Sequence, residues 1–157
     1  MYQIRIPNEA ALYNPLDPLQ TTLSSQVYNY IQILNSETPE EERNGATLQI
    51  ICDESVDKDR IEAAIAKAVA TDLNKIDDEL HSKNRLMIWM YIIGILLSLL
   101  GIVLSIIADE LLLSIISFFG SLAVREAVSI TIHDRPRIKK HRKLLEPLGG
   151  LKVEITK

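Results

Sequence analysis

LMIWMYIIGILLSLLGIVLSIIA, residues Leu86–Ala108, runs for 23 positions without a charged side chain. At a helical rise of 1.5 Å per residue it reaches about 34 Å, enough to cross a hydrocarbon core of about 30 Å. No face of it is polar, which is unlike the amphipathic core helix of a soluble domain. Only Asp109 and Glu110 separate it from a second apolar run, Leu111–Ile132, interrupted once by Arg125–Glu126. Two helices joined by so short a link must run antiparallel. The reading is a transmembrane hairpin: first span 86–108, external turn 109–110, second span 111–134.

The flanks orient it. Lys83 and Arg85 precede the first span, and Arg135, Arg137, Lys139, Lys140, Arg142 and Lys143 follow the second, while the link holds two acids and no base. Basic flanks stay on the cytoplasmic side. This predicts an inner or plasma membrane location with both termini cytoplasmic. Met1–Ala10 has no apolar core of a signal peptide, so the first span serves as the insertion signal.

The remaining chain reads as a small cytoplasmic α+β domain, 1–56 and 136–157, split in sequence by the hairpin. Residues 1–80 carry 15 acids and 6 bases, net −9, whereas 81–157 carry 6 acids and 11 bases, net +5. The single cysteine, Cys52, excludes an intrachain disulfide framework. Tyr2–Pro7 alternates as a strand closed by proline, and Thr47–Cys52 and Leu151–Ile155 read likewise. The first and last of these are expected in one sheet. Residues 19–34 are ambiguous. Leu23, Val27, Ile31 and Leu34 fit one helical face, but VYNYIQIL is rich in β-branched and aromatic residues, and the reading leans to a strand over Val27–Leu34. Asn35–Gly45 reads as an exposed turn region. Asp57 caps a long helix whose apolar positions are Ile61, Ile65, Val69, Leu73, Ile76 and Leu80. With no proline or glycine from Asp57 to Trp89, it is expected to run as a stalk, 57–85, straight into the first span. Its Ile65–Val69–Leu73–Ile76 seam is expected to self-associate. A short basic helix, Ile138–Glu146, precedes the last strand.

Within the hairpin, Gly94, Ser98, Gly101 and Ser105 share one face of the first span. Small-residue seams let helices approach closely in lipid; contact within the hairpin and contact between subunits fit equally well. The second span carries a polar stripe: Glu110, Ser114, Ser117, Ser121 and Arg125. Arg125 lies about 20 Å from the outer end, where an unpartnered charge costs roughly 2.5–3.5 kcal/mol. Glu126 points about 100° away on the same helix, so a partner from another helix or subunit is the simpler solution. Two spans cannot enclose water, but several copies can, with the serines lining a lumen and Asp109 and Glu110 ringing its outer mouth to concentrate cations. Serines bonding their own backbone and a snorkelling arginine are the alternative.

Arg135–Lys143, RPRIKKHRK, holds six Lys or Arg in nine positions. Contact with anionic lipid is its plainest role, and a phosphate-bearing small molecule would use the same charges. The acidic remainder and the absence of a stacking motif argue against binding a DNA duplex. Nothing in the sequence predicts catalysis, a metal or a cofactor: His81, His133, His141 and Cys52 have no ligand spacing, and no phosphate loop or nucleophile elbow occurs. The cluster Asp53, Glu54, Asp57, Asp59 lacks the glycine and distal glutamate of a calcium loop.

This layout of cytoplasmic strands, the 57–84 helix, the 86–132 hairpin and the Arg125 stripe resembles small two-span membrane effectors of bacterial anti-phage defence systems. The resemblance implies a homo-oligomeric pore or membrane-disrupting effector gated by a cytoplasmic sensor, often for a nucleotide. It assigns no binding residues. The alternative is a membrane-anchored adaptor whose acidic domain recruits a protein partner.

Overall fold

Alternating side chains in three short segments build a three-stranded sheet: β1 (Tyr2–Arg5), β2 (Thr47–Ile51) and β3 (Lys152–Thr156), in that order and all parallel. The computed structural model describes residues 2–52, 57–106 and 109–156. Asp53 and Glu54 of the acidic cluster, and the last two residues of the expected first span, lie outside them. Tyr2 aligns with Leu48 and Val153, and Ile4 with Ile50 and Ile155. Tyr2, Ile4, Leu48, Ile50 and Val153 are buried on one face. The other face carries a polar ladder, in which Gln3 Nε2 donates to Gln49 Oε1 at 2.7 Å and Gln49 Nε2 donates to Thr156 Oγ1 at 2.8 Å. The first and last strands thus share a sheet as expected, with β2 between them.

Parallel strands need crossovers. The first is α1 (Ser25–Glu37), followed by the short α2 (Glu40–Arg43). The strand expected over Val27–Leu34 is therefore a helix. Ile31 is buried at the centre of its face, and the burial of that periodic face outweighs the strand preference of its Val, Tyr and Ile residues. Asn35, expected in an exposed turn, is 2% exposed. Its Oδ1 accepts from Tyr2 Oη at 2.9 Å and its Nδ2 donates to the Leu144 carbonyl at 2.5 Å, so one amide ties α1 to β1 and to the chain before β3. Arg43 then caps α1: its Nε donates to the Asn35 and Thr38 carbonyls and its Nη2 to that of Ser36.

The next helix, α3 (Lys58–Leu104), is 47 residues, about 70 Å long. The Asp57 carboxylate accepts from the Asp59 and Arg60 amides at its start. By internal contacts the chain divides into a sheet unit, residues 1–75 and 141–157, and a hairpin unit, residues 76–140. Within the sheet unit Ile61, Ala64, Ile65 and Val69 are buried, and Glu62 Oε1 accepts from the Val153 amide on β3. Ile65 and Val69, expected on a free self-association seam, thus fill their own unit's core. That part of the seam is occupied because this small sheet needs the first turns of α3 to cover it.

In the hairpin unit α3 is followed by α4 (Glu110–Ser129), a wider π-type turn (Ile130–Asp134) and the start of α5 (Arg135–Leu145). Pro136 has no N–H for the carbonyl four residues back and its ring crowds it, which accounts for the widened turn beside it. Both α3 and the helical run from Glu110 contain stretches long and apolar enough to cross a membrane. A 3-10 turn (Glu146–Gly150) leads into β3.

Candidate functional site

The hairpin is built on small residues. A Cβ placed on Gly94 would lie 2.6 Å from Val124 Cγ2 and 3.4 Å from the Gly120 carbonyl oxygen, while one on Gly120 would meet Leu97 Cβ at 3.4 Å. Gly120, Ala123, Ala127 and Ile130 are buried at steps of three, four and three, forming the α4 side of the contact. Gly94 thus serves closure within the hairpin. The α4 seam went unread in the sequence, although its spacing was there.

The polar stripe lies beside this seam and is left uncovered. Glu110, Ser114, Ser117, Ser121 and Arg125 are all exposed, as are Asp109 and Glu126. An open groove of about 780 Å³ brings Ser98, Gly101 and Ser105 of α3 together with Ser117, Ser121 and Arg125 of α4. A second recess, about 610 Å³, runs on through Ser114 to Glu110. The two motifs singled out in sequence therefore line one surface. Ser98, Ser105 and Ser121 donate to carbonyls of their own helices at 2.7–2.8 Å. Their oxygens keep lone pairs for water or a cation. Arg125 has no ion-pair partner among the described residues.

The foot of the hairpin is locked by polar groups, two from the flanks (Lys83, Arg135) and two from the end of the expected second span (Thr131, Asp134). Lys83 Nζ pairs with Asp134 Oδ2 at 2.6 Å. The Asp134 hydrogen bond holds the Lys83 ammonium above its ordinary pKa, with burial opposing and the charges of Asp134, Glu79 and Glu126 adding. Thr131 Oγ1 meets the Ala127 carbonyl and Met87 Sδ, and Arg135 Nη1 also reaches Met87 Sδ.

The six bases expected to touch lipid or an anion divide. Lys143 pairs with Glu40 at 2.5 Å, and its hydrogen bond and charge hold the Glu40 carboxyl below the ordinary range; Arg142 pairs with Glu146 at 3.4 Å. Arg137, Lys139 and Lys140 are exposed without ion pairs among the described residues. No three His, Cys, Asp or Glu side chains among the described residues are grouped to hold a metal. Comparison with known proteins adds no relative: no family model, no curated protein and no solved structure matches this chain.

Proposed function

We propose that this is a two-span membrane protein, both termini cytoplasmic, whose copies assemble into a channel or membrane-disrupting effector controlled by the sheet unit. Insertion is supported by the apolar exposure of both helices. Trp89, Leu96 and Ile102 on one, and Leu111 and Phe118 on the other, are all more than half exposed. Surfaces that apolar belong in lipid or against another chain. The observation that carries the oligomer is the uncovered serine–arginine stripe. Lipid solvates Arg125 poorly, and no carboxylate among the described residues of the hairpin pairs with it, so a second copy is the simplest cover.

In such an assembly the serines face a lumen, Asp109 and Glu110 ring its outer mouth and favour cations, and Glu126 of a neighbour pairs with Arg125. Arg137, Lys139 and Lys140 rest on anionic lipid, each contributing about 1 kcal/mol. Planar-bilayer recording tests this. Wild type should pass discrete cation-preferring current, Ser121→Leu should reduce it with complex size unchanged, and Asp109→Asn with Glu110→Gln should weaken the cation preference. A silent wild type, with Ser121→Leu indistinguishable from it in cells, would instead favour the adaptor reading.

A further inference from the structure

Between α1 and α3 of the sheet unit lies a recess of about 310 Å³. That is the low end of the range for small-molecule sites, about 300–1,000 Å³. Ala64 and Ala68 open space on α3, four residues apart, and Leu23 and Tyr28 add apolar surface.

Its polar groups are unevenly committed. Thr21 and Thr22 donate their hydroxyls to Asp17 Oδ2 at 3.0 and 2.7 Å, and Thr71 donates to the Lys67 carbonyl at 2.8 Å. Asp72 is neutralised by Lys75 at 3.1 Å. Lys67 has no such neutraliser: its Nζ donates to Thr21 Oγ1 at 3.1 Å, and it makes no ion pair among the described residues. Ser25 and Asn29, on the same face of α1, make no side-chain hydrogen bond among the described residues. The Tyr28 hydroxyl is buried without a partner in bonding geometry. Burial pushes its phenol up to about 12, with nearby Gln32 opposing and Asp72 adding, so it stays a donor at neutral pH. The recess thus combines an apolar floor, unused hydroxyl and amide groups, and one uncompensated cation.

We propose that this recess binds a small organic anion, a single ring bearing one carboxylate or phosphate, with Lys67 on the acid group and Ala64 and Ala68 under the ring. The inference deepens the proposed function, resting on it only for the consequence of binding and not for binding itself. The test follows the methyl resonances of isotope-labelled Ala64 and Ala68 in the full chain in detergent, titrated with phenyl phosphate and, separately, benzoate. At least one should move both methyls saturably, with a Kd on the order of 1 mM, and the tighter of the two identifies the acid group. Benzyl alcohol, lacking the charge, should bind roughly tenfold more weakly. Lys67→Gln should lose about tenfold for the acids, and Ala68→Leu should abolish the saturable shift of the remaining Ala64 methyl by filling the floor. No saturable shift with either acid up to about 20 mM, or Lys67→Gln titrating as wild type, overturns the site. An occupied recess that leaves bilayer current unchanged contradicts control by the sheet unit while upholding the site's chemistry.

Discussion

Gly94→Ala is the sharpest perturbation of the hairpin. The added methyl would sit 2.6 Å from Val124 Cγ2, about 1 Å inside the 3.5–4.0 Å optimum for carbon contacts. Val124 is 37% exposed, so it escapes either by leaving its rotamer, at about 0.5–1.5 kcal/mol, or by pushing the helices apart. Overpacking of this kind costs about 1–3 kcal/mol. Val124→Ala alone removes two partly exposed methyls and should cost less than about 1.5 kcal/mol. In the double variant the Gly94→Ala methyl fills the space Val124 vacates, so the two changes should couple by about −1 to −2 kcal/mol. The assay is SDS titration in micelles, with a fluorophore pair on Arg85→Cys and Ile132→Cys in a Cys52→Ser background reporting separation of the helices. Gly94→Ala unfolding at the wild-type SDS fraction, or single costs that simply add in the double variant, would refute this packing.

Labelling in intact cells, again without Cys52, should leave Ser36→Cys unreactive from outside and make Asp109→Cys reactive; the reverse pattern would sink the proposed orientation. Asn35→Ala strands Tyr2 Oη and the Leu144 carbonyl, and should destabilise the sheet unit by about 2–4 kcal/mol in chemical denaturation. Asp17 accepts five hydrogen bonds from Leu19, Thr21 and Thr22, and that of the Thr22 hydroxyl leads in holding its carboxyl far below the ordinary 3.8. Because the folded pKa is depressed, the stabilisation is complete above the unfolded value and fades as pH falls below it. Amide exchange at Thr21 and Thr22, corrected for its intrinsic pH dependence, should lose protection below about pH 4; constant protection down to pH 2 would show the turn independent of that charge.

The strands and the apolar helices were legible because their signals are local: period-two alternation for Tyr2–Arg5, Thr47–Ile51 and Lys152–Thr156, and unbroken hydropathy for the hairpin. The α1 helix was not, because VYNYIQIL has the composition of a strand and its helical face is settled only by burial of Ile31 and Asn35 in the folded unit. Asn35 itself looked like turn punctuation, and only tertiary contact supplies partners for both ends of its amide. The same limit hid the role of Ile65 and Val69. An apolar seam reads identically whether it meets another copy or its own sheet. Of the site, the Ser114–Arg125 stripe and the Ser98–Ser105 face were each visible in their spacing, but that they line one groove depends on the Gly94–Gly120 closure. The Lys83–Asp134 pair and the Lys67–Thr21 hydrogen bond at the recess join residues 51 and 46 positions apart and leave no local mark.

The mass of the native complex, released from lipid nanodiscs and read by native mass spectrometry, decides whether other copies cover the stripe. A stripe that needs covering by other copies requires a multiple of the 17.7 kDa chain, shifting to smaller species when Arg125→Ala removes the partner of a neighbour's carboxylate. A wild-type chain that leaves the nanodisc as a monomer, or a complex whose mass Arg125→Ala does not change, would contradict it.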